Sequence, residues 1–179
     1  MSAQEHVGER SRSTARVAAH GSGEATVATG IPVLDHLIGL LAEYAGFDIA
    51  VEVEPGGALD EVSAAGRALG EGLAGPLAVG ARGHGSGAVP ADEALASVVL
   101  EASGRPLVVS NVDLSEAHVG GLGSDLVARF LEELARGAGL TLHVRLIHGE
   151  DTQHVLEAIF KSLGTALGNA AQPLPGKTG

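Results

Sequence analysis

Apolar residues recur every three or four positions in four stretches of the chain, a spacing that predicts four amphipathic helices. The predicted helices cover residues 32–45, 60–73, 121–137 and 151–163. Helix-starting residues mark three of them: Pro32 in the first turn of the first helix, Ser124 as the N-cap of the third, and Asp151 or Thr152 as the N-cap of the fourth. Gly46 is expected to end the first helix.

Alternation of apolar and polar residues predicts strands between these helices. It is clearest at residues 47–53 and 140–146. Residues 16–29 predict two short strands joined as a hairpin around a His-Gly-Ser-Gly turn. Further short strands are expected at 76–81, 94–101 and 106–111, with a glycine-rich loop over residues 81–94.

The first helix and the strand after it recur later in the chain. His36 aligns with Arg129 and Gly46 with Gly139, a constant offset of 93 residues. After one added residue the second helices also align, with Asp60 on His154. The sequence therefore predicts an α/β fold made by duplication of a βαβα unit, with two sheets or one continued sheet and helices collected on one face. The expected parts of this single domain are a disordered arm (1–15), two halves (16–92 and 93–170) and a tail (171–179).

Composition narrows the possible partners and compartments. The net charge of −11 argues against binding to nucleic acid or to an anionic membrane surface. No apolar run reaches the length of a membrane span, and the first 15 residues lack the apolar region of a signal peptide. There is no cysteine, which excludes disulfides, thiolate metal sites and a cysteine nucleophile and fits a cytoplasmic protein.

Three chemically distinct side chains line one edge of the last predicted helix. His154, Glu157 and Lys161 stand at positions i, i+3 and i+7, one above another. An imidazole, a carboxylate and an ammonium group in a row can ligate a metal and hold an anion. The alternative is a solvated helix edge with an ordinary ion pair.

Several segments resemble the imidazoleglycerol-phosphate dehydratase family of histidine biosynthesis. They occur in the family's order, from about residue 28 to the C-terminus: TGIPVLDHL, GRALGEGL, VPADEAL, ASGRP and LTLHVRLIHGEDTQHVLEAIFKSL. The resemblance implies a duplicated α/β sandwich of the ribosomal protein S5 domain 2-like type. It also implies a homo-oligomer, either a trimer or a 24-subunit particle built from trimers, with active sites that bind two manganese ions between subunits. The implied reaction removes water from imidazole glycerol phosphate to give imidazole acetol phosphate.

The metal ligands implied by the resemblance are only partly present. The family uses a histidine in the first helix of each repeat and a His-His-x-x-Glu start of each second helix. Three of these eight positions keep their residue type: His36, His154 and Glu157. The other five hold Leu59, Asp60, Ser63, Arg129 and Gln153, of which Asp60 is the best remaining ligand. The implied manganese site, from His36, Asp60, His154 and Glu157, is thus reduced to a single ion or to none, with Glu157 and His154 as the proton-moving residues.

The phosphate-binding positions of the family are better kept. Arg105 and Lys161 match them directly, whereas Arg82 and Lys177 are displaced counterparts. Cationic side chains at such positions would hold the phosphate of a small-molecule substrate through charge-assisted hydrogen bonds.

Two functions follow from the resemblance. The chain is either a dehydratase with a reduced metal site, or an inactive relative that keeps the scaffold and an anion pocket and serves as a binding or assembly protein. A third possibility is that an intact copy assembles with this chain and supplies the missing ligands. The role of Arg129 also has two alternatives: its guanidinium either replaces a lost metal or pairs with nearby Glu132 or Glu133.

Overall fold

A computed structural model describes residues 13–113, 118–119 and 122–175 of the chain. The helices of these residues are α1 (Pro32–Ala45), α2 (Ala58–Ala74), α3 (Ser124–Ala138) and α4 (Thr152–Ala170). The strands are β1 (Thr14–Ala18), β2 (Ala25–Ala28), β3 (Asp48–Glu52), β4 (His84–Ala91), β5 (Ala94–Glu101), β6 (Leu107–Ser110), β7 (His118–Val119), β8 (Leu122–Gly123) and β9 (Thr141–His148). All four predicted helices are confirmed. Most of the predicted arm, residues 1–12, and the end of the tail, residues 176–179, lie outside the described residues.

Two main sheets carry the helices, which is the first of the two arrangements that the repeat left open. The first has the strand order β1-β3-β2 and the second the order β4-β5-β9-β6. In each sheet a helix connects two parallel neighbours, α1 between β2 and β3 and α3 between β6 and β9. Helices α1 and α2 pack on the first sheet, α3 and α4 pack on the second, and the helices meet between the sheets. The predicted duplicated α/β sandwich is confirmed.

The helices pair across the two halves of the chain, α1 with α4 and α2 with α3. Each pair runs parallel at very close range because glycines face the partner backbone. A Cβ added at Gly164 would lie 2.4 Å from the carbonyl oxygen of Leu41, and a Cβ added at Gly70 would lie 2.5 Å from that of Leu134. The two contacts correspond to each other in the repeat, since Gly70 and Gly164 are 94 residues apart and Leu41 and Leu134 are 93 apart. The duplication seen in the sequence is therefore also a pseudo-symmetry of the fold.

The helix ends follow the predicted signals with one exception. Gly46 ends α1 and its repeat-mate Gly139 ends α3, both with left-handed backbone at φ 69°. The Asp151 carboxylate caps α4 by accepting a hydrogen bond from the His154 backbone N–H at 3.1 Å. The prediction for Ser124 is wrong, because Gly123 is the N-cap of α3 and Ser124 is its first helical residue.

Three strand predictions are also wrong. β1 and β2 do not form a hairpin, because β3 lies between them and pairs with both. Residues 76–81 form turns rather than a strand. The glycine-rich segment predicted as a loop is largely β4, paired with β5 along its full length. Gly85 and Gly87 belong in this strand because a Cβ at either position would collide with the backbone of α4, at 2.1 and 2.5 Å respectively.

The core is aliphatic, with three buried phenylalanines. Phe130 of α3 and Phe160 of α4 approach with their ring centroids 5.5 Å apart. The fully buried Ser162 ties α4 to the second sheet: its hydroxyl accepts a hydrogen bond from Val89 N–H at 3.0 Å and donates to the Ala96 carbonyl at 3.0 Å. Among the described residues, no helix has the length and apolarity needed to cross a membrane.

Candidate functional site

The N-terminal turns of α1 and α4 bring two of the predicted site residues into contact. His36 Nε2 lies 3.2 Å from Glu157 Oε1, although the two residues are 121 positions apart. Gln153, one turn before Glu157, donates a hydrogen bond from Nε2 to the same oxygen at 3.3 Å. The His36 side chain is 54% exposed and that of Glu157 is 19% exposed, so the pair faces solvent on one side. We call this arrangement the α1–α4 edge.

His154 begins the same edge but is held by a residue that the sequence did not single out. Its Nδ1 lies 2.7 Å from Oε2 of Glu93, in the turn between β4 and β5. The other oxygen of Glu93 accepts hydrogen bonds from the backbone N–H groups of Asp151 at 2.8 Å and Glu150 at 3.2 Å. Glu93 therefore fastens the start of α4 to the β4–β5 turn and fixes the orientation of the imidazole.

These hydrogen bonds shift the pKa values of both partners. The backbone N–H of Asp151, followed by the His154 side chain, lowers the pKa of Glu93 to about 2. The hydrogen bond from His154 to Glu93 raises the pKa of His154, against a smaller opposing effect of burial. Because Glu93 is then a carboxylate that only accepts, Nδ1 of His154 must carry the proton of this bond. Nε2 is left as the nitrogen that changes its protonation state.

A pH-dependent stability follows from these shifts. The lowered pKa of Glu93 stabilises the fold above about pH 4.5, and this contribution is lost as the pH falls through about 2. The raised pKa of His154 stabilises the fold below about pH 6.5, and this contribution is lost as the pH rises through the folded value. We therefore expect the Glu93–His154 pair to contribute most to stability between about pH 4.5 and pH 6.5. Melting temperatures measured across pH should show that Glu93→Gln loses most stability in this window, and an equal loss at pH 9 would contradict the prediction.

Lys161 extends the α1–α4 edge along α4. Its Nζ lies 5.5 Å from the ring centroid of Tyr44 in α1, within the range of a cation–π interaction. Lys161 is one helical turn beyond Glu157, so the edge presents an imidazole–carboxylate pair followed by an ammonium group. This is the order that the sequence predicts for a site that binds both a metal and an anion.

Two other predicted phosphate ligands lie at the far end of the molecule. Arg82 precedes β4, next to the C-terminal end of α4, where its backbone N–H donates to Gln172 O at 2.8 Å. Arg105 lies beside the first residue of β9, with its carbonyl accepting a hydrogen bond from the Thr141 hydroxyl at 3.0 Å. The two segments adjoin, since Ala102 N–H donates to Gly83 O at 2.7 Å. We call this region the arginine end; beside it, Arg82, His84, Ser86 and Asn169 line a cleft of about 350 Å³.

The distance between the two regions is set by α4 and β9. From His154, in the first turn of α4, to residue 170 at its end, the helix rises about 24 Å at 1.5 Å per residue. The strand β9 spans about 23 Å at 3.3 Å per residue between Thr141 and His148. Within one chain the described contacts therefore do not bring Arg82 or Arg105 to the His36–Glu157 pair. Lys177, the remaining predicted phosphate ligand, lies outside the described residues.

The repeat-mate of the α1–α4 edge, formed by α2 and α3, has different chemistry. Arg129 and Ser63 occupy the positions that correspond to His36 and Glu157. Arg129 Nη1 lies 3.9 Å from Glu133 Oε1 on its own helix, which is the second of its two predicted alternatives. Asp60 is exposed in the first turn of α2 and, among the described residues, makes no hydrogen bond or ion pair with His36, His154 or Glu157.

The described residues of one chain do not build a complete metal centre. His36 and Glu157 can supply two ligands, and His154 can offer Nε2. However, no group of three or more His, Cys, Asp or Glu side chains in the described part of the chain is arranged to hold an ion. The resemblance implies a two-manganese site between subunits, and the described residues of one chain supply only part of such a site.

Comparisons with known proteins decide the family. The family model described as imidazoleglycerol-phosphate dehydratase matches residues 29–167. The chain belongs to the imidazoleglycerol-phosphate dehydratase family. Curated relatives with that name include one from Aromatoleum aromaticum, 39% identical over 90% of this chain and 85% of the relative, and one from Syntrophobacter fumaroxidans, 38% identical over 94% and 88%.

Solved structures of the family have the same fold. The imidazoleglycerol-phosphate dehydratase of Staphylococcus aureus superposes with a TM-score of 0.83 at 30% identity, covering 91% of this chain and 95% of that one. The enzyme from Pyrococcus furiosus gives a TM-score of 0.83 at 28% identity, covering 93% and 92%. The resemblance found in the sequence motifs is thus confirmed, and the chain is a dehydratase-family protein of histidine biosynthesis.

Proposed function

We propose that this chain dehydrates imidazole glycerol phosphate to imidazole acetol phosphate, with a metal centre smaller than the two-manganese site of its family. The observation that carries the proposal is the contact between His36 and Glu157 at 3.2 Å beside Lys161. Two ligand-type residues that the chain retains meet at one edge, although they come from opposite halves of the sequence. Relatives 38–39% identical over most of their length bear the name of this enzyme.

The complete site would be shared between copies of the chain. The α1–α4 edge offers imidazole and carboxylate groups, and the arginine end, about 24 Å away along α4, offers guanidinium groups. A substrate with an imidazole at one end and a phosphate at the other is far shorter than this separation. One copy would therefore supply the α1–α4 edge and a neighbouring copy the arginine end, in a trimer or a larger trimer-based homo-oligomer in the cytoplasm.

The chain's own residues have distinct proposed roles. Arg105, Lys161, Arg82 and Lys177 would hold the substrate phosphate by charge-assisted hydrogen bonds. His154 would move a proton at Nε2, because Nδ1 is engaged with Glu93, and Glu157 would act as the partner carboxylate. A single manganese ion would be held by His36 and Glu157, with Asp60 from a neighbouring copy. It would stabilise negative charge on the imidazole during dehydration.

A second candidate function is a catalytically inactive family member. It would keep the scaffold and the anion-binding residues and serve as a binding or assembly protein. The observation that favours it is the loss of ligand types at five of eight expected positions, together with the lack of a three-ligand group among the described residues. Metal ions contribute several kcal/mol of charge stabilisation to such reactions, so their loss would slow turnover by orders of magnitude.

Metal content and turnover of the purified oligomer separate the two candidates. The dehydratase proposal expects one manganese ion per site and measurable conversion of imidazole glycerol phosphate. Glu157→Gln is expected to lower both manganese content and kcat by at least about tenfold, because it removes a metal ligand and the carboxylate that partners His154. Glu43→Gln, an exposed carboxylate at the end of α1, is the matched control and should change neither. Absence of both manganese and turnover in the unmodified protein would support the inactive candidate.

A further inference from the structure

Three arginines converge on one buried carboxylate at the α2–α3 side of the molecule. Glu133 of α3 has only 3% of its side chain exposed. Arg67 of α2 donates from Nε and Nη2 to Glu133 Oε2, both at 3.3 Å, and Arg136 donates from Nη1 to Oε1 at 2.9 Å. Arg129 Nη1 stands 3.9 Å from the same Oε1. Three positive charges and one negative charge leave this cluster with a net charge of about +2 in a chain of −11.

The three guanidinium groups remain open to solvent while the carboxylate is covered. The side chains of Arg67, Arg129 and Arg136 are 53%, 42% and 63% exposed. A buried carboxylate at the base of the cluster holds the guanidiniums together and limits their motion. In the described part of the chain, the Arg129 guanidinium makes no hydrogen bond, so its donors are available to a ligand. Glu71 and Glu132 are the nearby exposed acids on these two helices, and neither forms an ion pair within the described residues.

The pseudo-symmetry gives the cluster a counterpart across the molecule. With the offset of 94 residues, Arg67 corresponds to Lys161, and with the offset of 93 residues, Arg129 corresponds to His36. The α2–α3 side therefore carries guanidiniums where the α1–α4 edge carries an ammonium and an imidazole. The α2–α3 side therefore carries three arginines around one carboxylate, and among the described residues none of its charged groups is an imidazole.

We propose that Arg67, Arg129 and Arg136 form a binding site for a phosphate group on the α2–α3 side, which within one chain is distinct from the α1–α4 edge and from the arginine end. The four side chains of the cluster alone carry about +2, which suits the −1.5 to −2 charge of a phosphate near neutral pH, while Glu71 and Glu132 lower the positive potential around them. Guanidinium forks suit a tetrahedral oxyanion because they donate paired, parallel N–H bonds. Glu133 acts as the positioning residue of the site.

The test measures binding of radiolabelled inorganic phosphate to the assembled protein by equilibrium dialysis at low ionic strength. Arg67→Gln and Arg136→Gln are each expected to weaken one class of bound phosphate about tenfold, because each removes charge-assisted hydrogen bonds. The double variant should lose that class, one phosphate per chain. Glutamine keeps an N–H donor for Glu133, and melting temperatures check that each variant is folded. If the double variant unfolds, the two single variants provide the same test.

Two controls decide between this site and general charge effects. Arg16→Gln with Arg145→Gln removes the same charge from exposed positions in β1 and β9, and should leave the phosphate bound. Lys161→Gln should affect only the α1–α4 edge. The proposal is overturned if the double variant of Arg67 and Arg136 binds as much phosphate as the unmodified protein. It is also overturned if the double variant of Arg16 and Arg145, or the Lys161→Gln variant, loses the same bound phosphate.

The outcome is independent of the proposed dehydratase activity. Phosphate binding at the cluster requires neither manganese nor turnover, and the Arg67→Gln and Arg136→Gln variants should keep whatever turnover the unmodified protein has. Competition with glycerol 3-phosphate tests whether the site also accepts a phosphate monoester. Displacement supports a phosphate monoester, and retention of the label supports free phosphate within the proposed class.

Discussion

Restoring the five substituted ligand positions is expected to raise manganese content to two ions per site and turnover by about 10³-fold or more. The substitutions are Leu59→His, Asp60→His, Ser63→Glu, Arg129→His and Gln153→His. The reason is that metal ions supply several kcal/mol of charge stabilisation, and each 1.36 kcal/mol is a factor of ten in rate. Metal analysis of the purified protein and the rate of imidazole acetol phosphate formation would measure the two effects.

The restored positions are suitable for exchange because none of the five residues is fully buried. The matched control is the same variant with Glu157→Gln added, which removes one retained ligand and should reverse most of the gain. Two bound ions without increased turnover would contradict the proposal that missing metal ligands limit the reaction. Such a result would place the limitation in the phosphate-binding residues or in the assembly.

Replacing Gly85 by alanine is expected to destabilise the fold by about 3 kcal/mol or more, since the added methyl group would overlap backbone. The Cβ would lie 2.1 Å from the Ala166 carbonyl oxygen and 2.8 Å from Ala170 N. Neither atom can move without shifting α4 away from β4. For a domain of this size the melting temperature should fall by roughly 10 °C.

Gly39 provides the comparison for this experiment. It lies inside α1, has ordinary helical backbone, and a Cβ there would meet nothing within 4 Å. Gly39→Ala is expected to stabilise the protein by about 0.5–1 kcal/mol, because alanine loses less backbone freedom on folding. Similar melting temperatures for the two variants would contradict the close packing of β4 on α4.

The helices and the repeat were predictable because their signals are local or periodic. Apolar spacing located all four helices, and the 93-residue offset predicted that the second half of the chain repeats the elements of the first. Strand order was not predictable, because β3 inserts between β1 and β2 through long-range pairing that leaves no local mark. β4 was missed because its glycines, which resemble a loop in the sequence, are required by contact with α4.

The candidate site was likewise predictable where its signal is local and not where it depends on long-range contacts. The spacing of His154, Glu157 and Lys161 on one helix predicted their common edge, whereas the approach of His36 depends on packing between distant halves. Glu93 was missed as a site residue because its role comes from hydrogen bonds to the start of α4, 57 to 61 residues later. A signal was available in its position within the VPADEAL motif that contributes to the family resemblance.

The crossed pairing of α1 with α4 and α2 with α3 bears on the origin of the fold. A half-length ancestor with a single βαβα unit could bury its helices in this way only against a second copy of itself. In such a dimer, symmetry would make the two helix-pair edges identical, so any change at one would occur at both. Fusion of two such units would remove that constraint. In the present chain the two edges differ, with a histidine and a glutamate on one and a cluster of arginines on the other.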